Sequence, residues 1–136
     1  MTYNTVEEVY QFTKLAAGDF QPSDCQACID RANAIVLAFA PHDATSDRSV
    51  RMEPIRKIAE LYLAAAEVFA ALANIYFLNS PPIRILSALN FQAGADSPTP
   101  TELLSALDRA GDQYREIGMG WLARVKPITT TIRAGS

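Results

Sequence analysis

The sequence predicts an all-α fold: a small helical bundle around one long central helix, with an extended C-terminal arm. Three observations carry this prediction. The stretch Leu61–Leu78, LYLAAAEVFAALANIYFL, is apolar apart from Glu67 and Asn74, and as a helix it would be roughly 27 Å long. On either side of it, apolar residues recur at three- and four-residue spacing, the mark of amphipathic helices. Three segments also have the capping-box form, in which a hydroxyl and a carboxylate or carboxamide three residues later satisfy the free amides of a helix start: Thr5–Glu8, Ser23–Gln26 and Thr99–Glu102.

Thr5-Val6-Glu7-Glu8 opens the first helix, with Val6, Val9, Tyr10 and Leu15 on or near one face and Gly18 as its expected stop. Pro22 and Ser23 open the second. Its apolar positions Cys25, Cys28, Ile29, Ala32, Ile35, Val36 and Phe39 form the strongest amphipathic pattern in the chain, and Pro41 ends it. Residues 41–52 are rich in turn formers and read as an exposed loop. Proline is tolerated in the first turn of a helix, so Pro54 places the start of the central helix near Glu53 or Pro54. That helix is expected to run to about Asn79, before Ser80-Pro81-Pro82. Residues 83–90, IRILSALN, fit a short helix, and residues 93–100 a second loop.

The last helix starts at Pro100 and carries Leu103, Leu104, Leu107, Ala110, Gly111, Tyr114, Ile117, Gly118, Trp121, Leu122 and Val125 in one stripe. Gly111 and Gly118 each cost up to about 1 kcal/mol relative to alanine, so close approach of a neighbouring helix is the expected compensation. Pro127 ends the helix. The domain organisation is therefore a bundle over residues 1–126 and an arm over 127–136. Within the arm, Ile128-Thr129-Thr130-Thr131-Ile132 is β-branched throughout, which favours extended backbone. A lone strand in a helical chain calls for a partner strand from elsewhere.

Composition narrows the function classes. At 136 residues, 49% hydrophobic and 20% charged, the chain suits one globular domain. A net charge of −3 and a pI near 5.1 argue against a surface that grips nucleic acid, although DNA could slide past it. Met1-Thr2-Tyr3-Asn4 leads straight into a charged helix start, so no signal peptide is expected. The central stretch is near the lower length limit for a membrane span. Glu67 near its middle would cost about 2.5–3.5 kcal/mol there, so a buried bundle centre is expected, or a helix shared with another subunit.

No motif points to catalysis, and no cofactor or metal is expected. Cys25-Gln26-Ala27-Cys28 lacks the βαβ context of a redox motif and the four ligands of structural zinc, and both thiols lie on the apolar stripe. His42-Asp43 reads as a solvated loop pair. Glu60 and Glu67 share a helix face but lack the Glu-x-x-His pairs of a bundle metal site, and they are expected to pair with Arg109, Arg115 or a neighbouring subunit. Arg48, Arg51, Arg56 and Lys57 form the one basic cluster, diluted by Asp47 and Glu53. With Glu60 and Glu67, these four are the candidate charges for subunit contacts.

The order Tyr3-x-Thr5-x-Glu7-Glu8-Val9, two short capped helices, polar loop, alanine-rich helix, final helix and extended tail resembles the head–tail connector (adaptor) proteins of tailed bacteriophages. The resemblance is closest over YNTVEEVYQFTKLAAGDFQPSDCQACIDRANAIV, where the second helix has the form I-x-x-A-x-x-x-V at Ile29, Ala32 and Val36. It implies a non-enzymatic ring of about twelve subunits in the virion neck, made in the host cytoplasm and docked between the portal and the next neck or tail component. DNA would pass through its lumen. In that family the C-terminal arm reaches into the portal, a role that falls here on Pro127, Ile128, Thr129, Thr130, Thr131, Ile132 and Arg133. A twelve-subunit ring would carry about −36 (12 × 3), which disfavours sticking to DNA. Two other functional classes fit the size and helical class of the chain less well. A helical DNA-binding regulator is suggested by the helix–turn–helix spacing around Gly18–Ser23, but its second helix carries Asp24, Asp30 and a single Arg31. A small helical enzyme of the chorismate-mutase kind would need several inward cations.

Overall fold

In a computed structural model, residues 2–40, 51–75 and 100–125 are described. They form four helices in chain order: α1 (Val6–Thr13), α2 (Pro22–Phe39), α3 (Glu53–Ile75) and α4 (Pro100–Val125). The fold is all-α, and no strand occurs among the described residues. Of the expected loop at 41–52 only Arg51 and Met52, just ahead of α3, are described; the rest of that loop, the expected end of the central helix near Asn79, the short helix at 83–90, Thr99 of the third capping box and the arm at 127–136 lie outside the described residues.

α1 starts as its sequence predicts. The Thr5 hydroxyl accepts from the Glu8 amide at 3.2 Å, and a Glu8 carboxylate oxygen accepts from the Thr5 amide at 3.1 Å, closing the capping box. The helix ends at Thr13, five residues before Gly18. Lys14 takes the left-handed conformation (φ 61°), and the Lys14 and Leu15 amides both reach back to the Tyr10 carbonyl. Burial of Leu15 and Phe20 pulls the chain into that early turn, and the Tyr10 hydroxyl holds it by donating to the Phe20 carbonyl. α2 departs from expectation at its start, because no side chain caps it. Gln21 is the N-cap, and Pro22 at the first helical position removes one free donor.

α3 is the centre of the bundle. Its buried residues include Leu63, Ala64, Ala65, Ala66, Val68, Phe69 and Leu72, and successive positions lie 100° apart, so they cover every side of the helix. α4 makes the most extensive contact with α3, α2 the next, and α1 lies across both α2 and α3. By length and composition α3 is the one helix among the described residues able to cross a bilayer, yet half of its apolar window is buried against the rest of the chain. The sequence left two places for this helix, the middle of the bundle or a seam shared with another subunit. The structure puts it in the middle.

Glycine makes the α3–α4 seam close. A Cβ added at Gly118 would lie 2.9 Å from Leu63 Cγ and 3.2 Å from Tyr62 Cβ, and one at Gly111 would lie 3.4 Å from the Ala66 carbonyl oxygen. The line Leu107, Gly111, Gly118, Leu122 faces α3 and is buried. Ile117, expected in the same stripe, sits on its flank and is 44% exposed. On α2, Phe39 is 46% exposed, although its spacing placed it on the apolar face. Phe12, which the sequence reading passed over, packs edge-on to Tyr62 with ring centroids 4.9 Å apart. Tyr114 stacks on Phe69 at 5.5 Å, so aromatic rings tie α1 to the α3–α4 seam.

Two substitutions separate propensity from packing. Gly120 has no atom within 4 Å of an added Cβ, so Gly120→Ala stabilises the protein by up to about 1 kcal/mol. Gly118→Ala drives a methyl into Leu63 and destabilises it by about 1–3 kcal/mol. Urea denaturation of the two variants beside the unaltered protein measures both.

Candidate functional site

The most developed polar constellation lies on the N-terminal half of α3. Glu60 is fully buried. Its carboxylate accepts from the main-chain amides of Tyr3 (2.9 and 3.2 Å) and Asn4 (2.8 Å), from Asn4 Nδ2 (3.1 Å) and from Asn33 Nδ2 on α2 (2.7 Å). Asn4 Nδ2 also donates to the Lys57 carbonyl at 2.9 Å. One charge is therefore solvated by neutral N–H groups drawn from the N-terminal segment and from α2.

One turn earlier, Arg56 is 3% exposed. Its Nε donates to the Ala40 carbonyl, the C-cap of α2, at 3.0 Å, where a cation complements the helix dipole. Its guanidinium also pairs with Glu53 at 3.1 Å, and Glu53 accepts from the Tyr3 hydroxyl at 3.4 Å. Lys57 points outward and meets Glu8 of α1 at 2.9 Å. The Lys57 hydrogen bond, followed by that from the Thr5 amide, holds the Glu8 carboxyl below its ordinary range.

The basic cluster read from the sequence is thus dispersed. Arg56 is buried, Lys57 is paired, Arg51 is exposed, and Arg48 lies outside the described residues. Glu60 and Glu67 do not meet Arg109 or Arg115. Glu60 turns to the N-terminal segment, Glu67 pairs with Arg31 of α2 at 3.7 Å, and Arg115 pairs with Asp112 within α4. A helix face alone could not foretell this, because the neighbour on that face belongs to α2 and to residues 3–4. A signal for Asn33 was present: it interrupts the apolar stripe between Ile29 and Val36, where a polar side chain needs a buried partner. Tyr3 and Asn4 precede any periodic pattern and carried no such mark.

Cys25 and Cys28 are both fully buried, as their place on the apolar stripe predicts. Arg31 donates to the Cys28 sulfur at 3.3 Å. Burial pushes both thiols up to about 11, so the reactive thiolate is scarce at neutral pH. No group of three or more His, Cys, Asp or Glu side chains able to hold a metal ion occurs among the described residues. His42 and Asp43 lie outside them. A shallow open groove beside the turn after α1, lined by Glu7, Gln11, Lys14 and Ala17 among others, holds no nucleophile–base pair.

Compared with protein-family models, curated proteins and solved structures, the chain matches none. The Glu60 and Arg56 constellation organises the fold, and the Glu60 carboxylate and the Arg56 guanidinium are engaged with the chain itself.

Two outcomes follow. Glu60→Ala leaves two main-chain amides and two carboxamides short of an acceptor in a buried place, and it lowers stability by about 3 kcal/mol or more in urea titration. The thiols give a pH dependence. The folded thiols keep their protons to about pH 11, whereas unfolded thiols lose them near pH 9. Between those values the unfolded state binds fewer protons, so stability falls as pH rises. Their contribution is complete below about pH 9 and lost through about pH 11. The doubly substituted Cys25→Ala, Cys28→Ala protein shows a shallower decline over that window.

Proposed function

We propose that this chain is a structural protein of the tailed-bacteriophage virion, a head–tail connector (adaptor) that forms a ring beneath the portal and lets DNA pass through its lumen. The observation that carries this reading is the relation between the arm and the body. The β-branched run Ile128–Ile132 follows α4 by only a few residues, and among the described residues there is no strand whose edge it could join. A strand supplied by the portal would complete it by β-augmentation. Pro127 to Arg133 form the proposed contact.

Three further features support the reading. The element order, two short helices, a long central helix and a long final helix, is the layout the connector resemblance implies. The net charge of −3 per subunit suits a lumen that DNA does not adhere to. Phe39 and Ile117 leave apolar surface half exposed on α2 and α4, where a neighbouring subunit would cover it. α3 contributes less to this surface, because much of it is buried within the subunit, although Ile75 at its end is 45% exposed. Arg56 and Glu60 are buried within it, so the candidate charges for subunit contacts reduce to Arg48, Arg51 and the partly exposed Lys57 and Glu67, which also pair within the subunit with Glu8 and Arg31.

The DNA-binding alternative gains nothing from the geometry. The solvent face of α2 presents Asp24 and Asp30, and Arg31 turns toward Glu67, whereas a recognition helix offers donors to base edges and phosphates.

Particle images and native mass of the protein mixed with its portal test the proposal, with rings on the portal as the expected result. Removing residues 127–136 leaves a folded subunit with an unchanged urea midpoint that no longer attaches. Attachment by the shortened chain at full strength overturns the arm assignment. A protein that stays monomeric with and without portal overturns the connector reading.

A further inference from the structure

We infer that residues 2–5 form a strap that opens as a unit of its own, hinged at Thr5, with the Glu60 carboxylate as its catch. The hold on this segment is almost wholly polar. Main-chain amides of Tyr3 and Asn4 and the Asn4 carboxamide converge on Glu60, the carboxamide also reaches the Lys57 carbonyl, and the Tyr3 hydroxyl reaches Glu53. Tyr3 is the one large apolar body in the segment, and it is only half-buried. A segment with few buried apolar contacts opens at a lower free energy than the core it lies on.

The hinge is defined by what does not depend on the strap. The capping box of Thr5 and Glu8 closes the start of α1 locally, and the Lys57–Glu8 ion pair fastens α1 to α3. Val9 and Tyr10 are buried beyond it. Residues 2–4 can leave while α1 stays.

The closed state also carries a built-in penalty. Asn4 is 3% exposed, and its Oδ1 makes no hydrogen bond among the described residues. Opening returns that acceptor to water and lets water solvate Glu60 in place of the amides, which offsets part of what is lost. It also uncovers the Glu60 carboxylate beside the Asn33 carboxamide. These are the groups that now receive an extended main chain from this same molecule.

Amide hydrogen exchange followed by NMR on the full chain, at several urea concentrations below the unfolding transition, tests the inference. The Tyr3 and Asn4 amides are expected to be protected about a hundredfold over unstructured chain, by an opening that urea hardly accelerates. The Leu63, Ala66 and Phe69 amides of α3 exchange only through global unfolding, which urea accelerates steeply. Glu60→Gln removes the charge and exchanges one of the two acceptor oxygens that serve the Tyr3, Asn4 and Asn33 N–H groups for a donor, and it lowers the protection of the strap amides about tenfold or more, while the α3 amides keep their urea dependence. Should Glu60→Gln fail to fold, the unaltered protein decides alone. Tyr3 and Asn4 amides that share the urea dependence of α3, or that show no protection, overturn the inference. So does a folded Glu60→Gln protein in which their protection is unchanged.

Discussion

A carboxylate taken wholly out of water must have its lone pairs met, and the arrangement of this bundle's N-terminal half follows from how Glu60 meets that demand. Its donors come from residues 3 and 4 and from Asn33, so the N-terminal segment, α2 and α3 must converge on one point. Arg56, one turn away, imposes a second condition by reaching the last carbonyl of α2. Together the two side chains give α2 a register against α3 that apolar packing alone would leave loosely specified, since alanines and valines can slide past one another with little penalty.

The face of α3 turned away from α2 obeys a different rule. There the neighbour is α4, and the seam is set by size: Gly111 and Gly118 let the backbones approach, while Leu107 and Leu122 fill the spaces on either side. Phe12, Tyr62, Phe69 and Tyr114 knit α1 into that seam. One helix is thus held by charge and hydrogen bonds toward α2 and by close packing toward α4. This division accounts for the burial of so apolar a helix against its neighbours within the chain.

For the proposed role the consequence is that assembly contacts move outward. Much of the long apolar helix is buried within the chain, so the proposed contacts with copies or with a portal would fall mainly to α2, α4, the end of α3 near Ile75 and the arm.

How much was legible in the residues can be argued element by element. The sequence by itself determined the helical class, the start of α1, the first turns of α3 and α4, the burial of both cysteines and the need for close approach at Gly111 and Gly118. Each of these follows from interactions within a few residues or from the period of one helix. Tertiary structure alone decided the early end of α1, where burial of Leu15 and Phe20 outweighs the stop at Gly18. It also decided the exposure of Phe39 and Ile117 and the partners of Glu60, Arg56 and Glu67. Those outcomes depend on which groups lie opposite across a helix pair, 16 residues away in sequence for Arg56 and Ala40 and 27 for Glu60 and Asn33, and a local pattern holds no information about a neighbour it has not yet met.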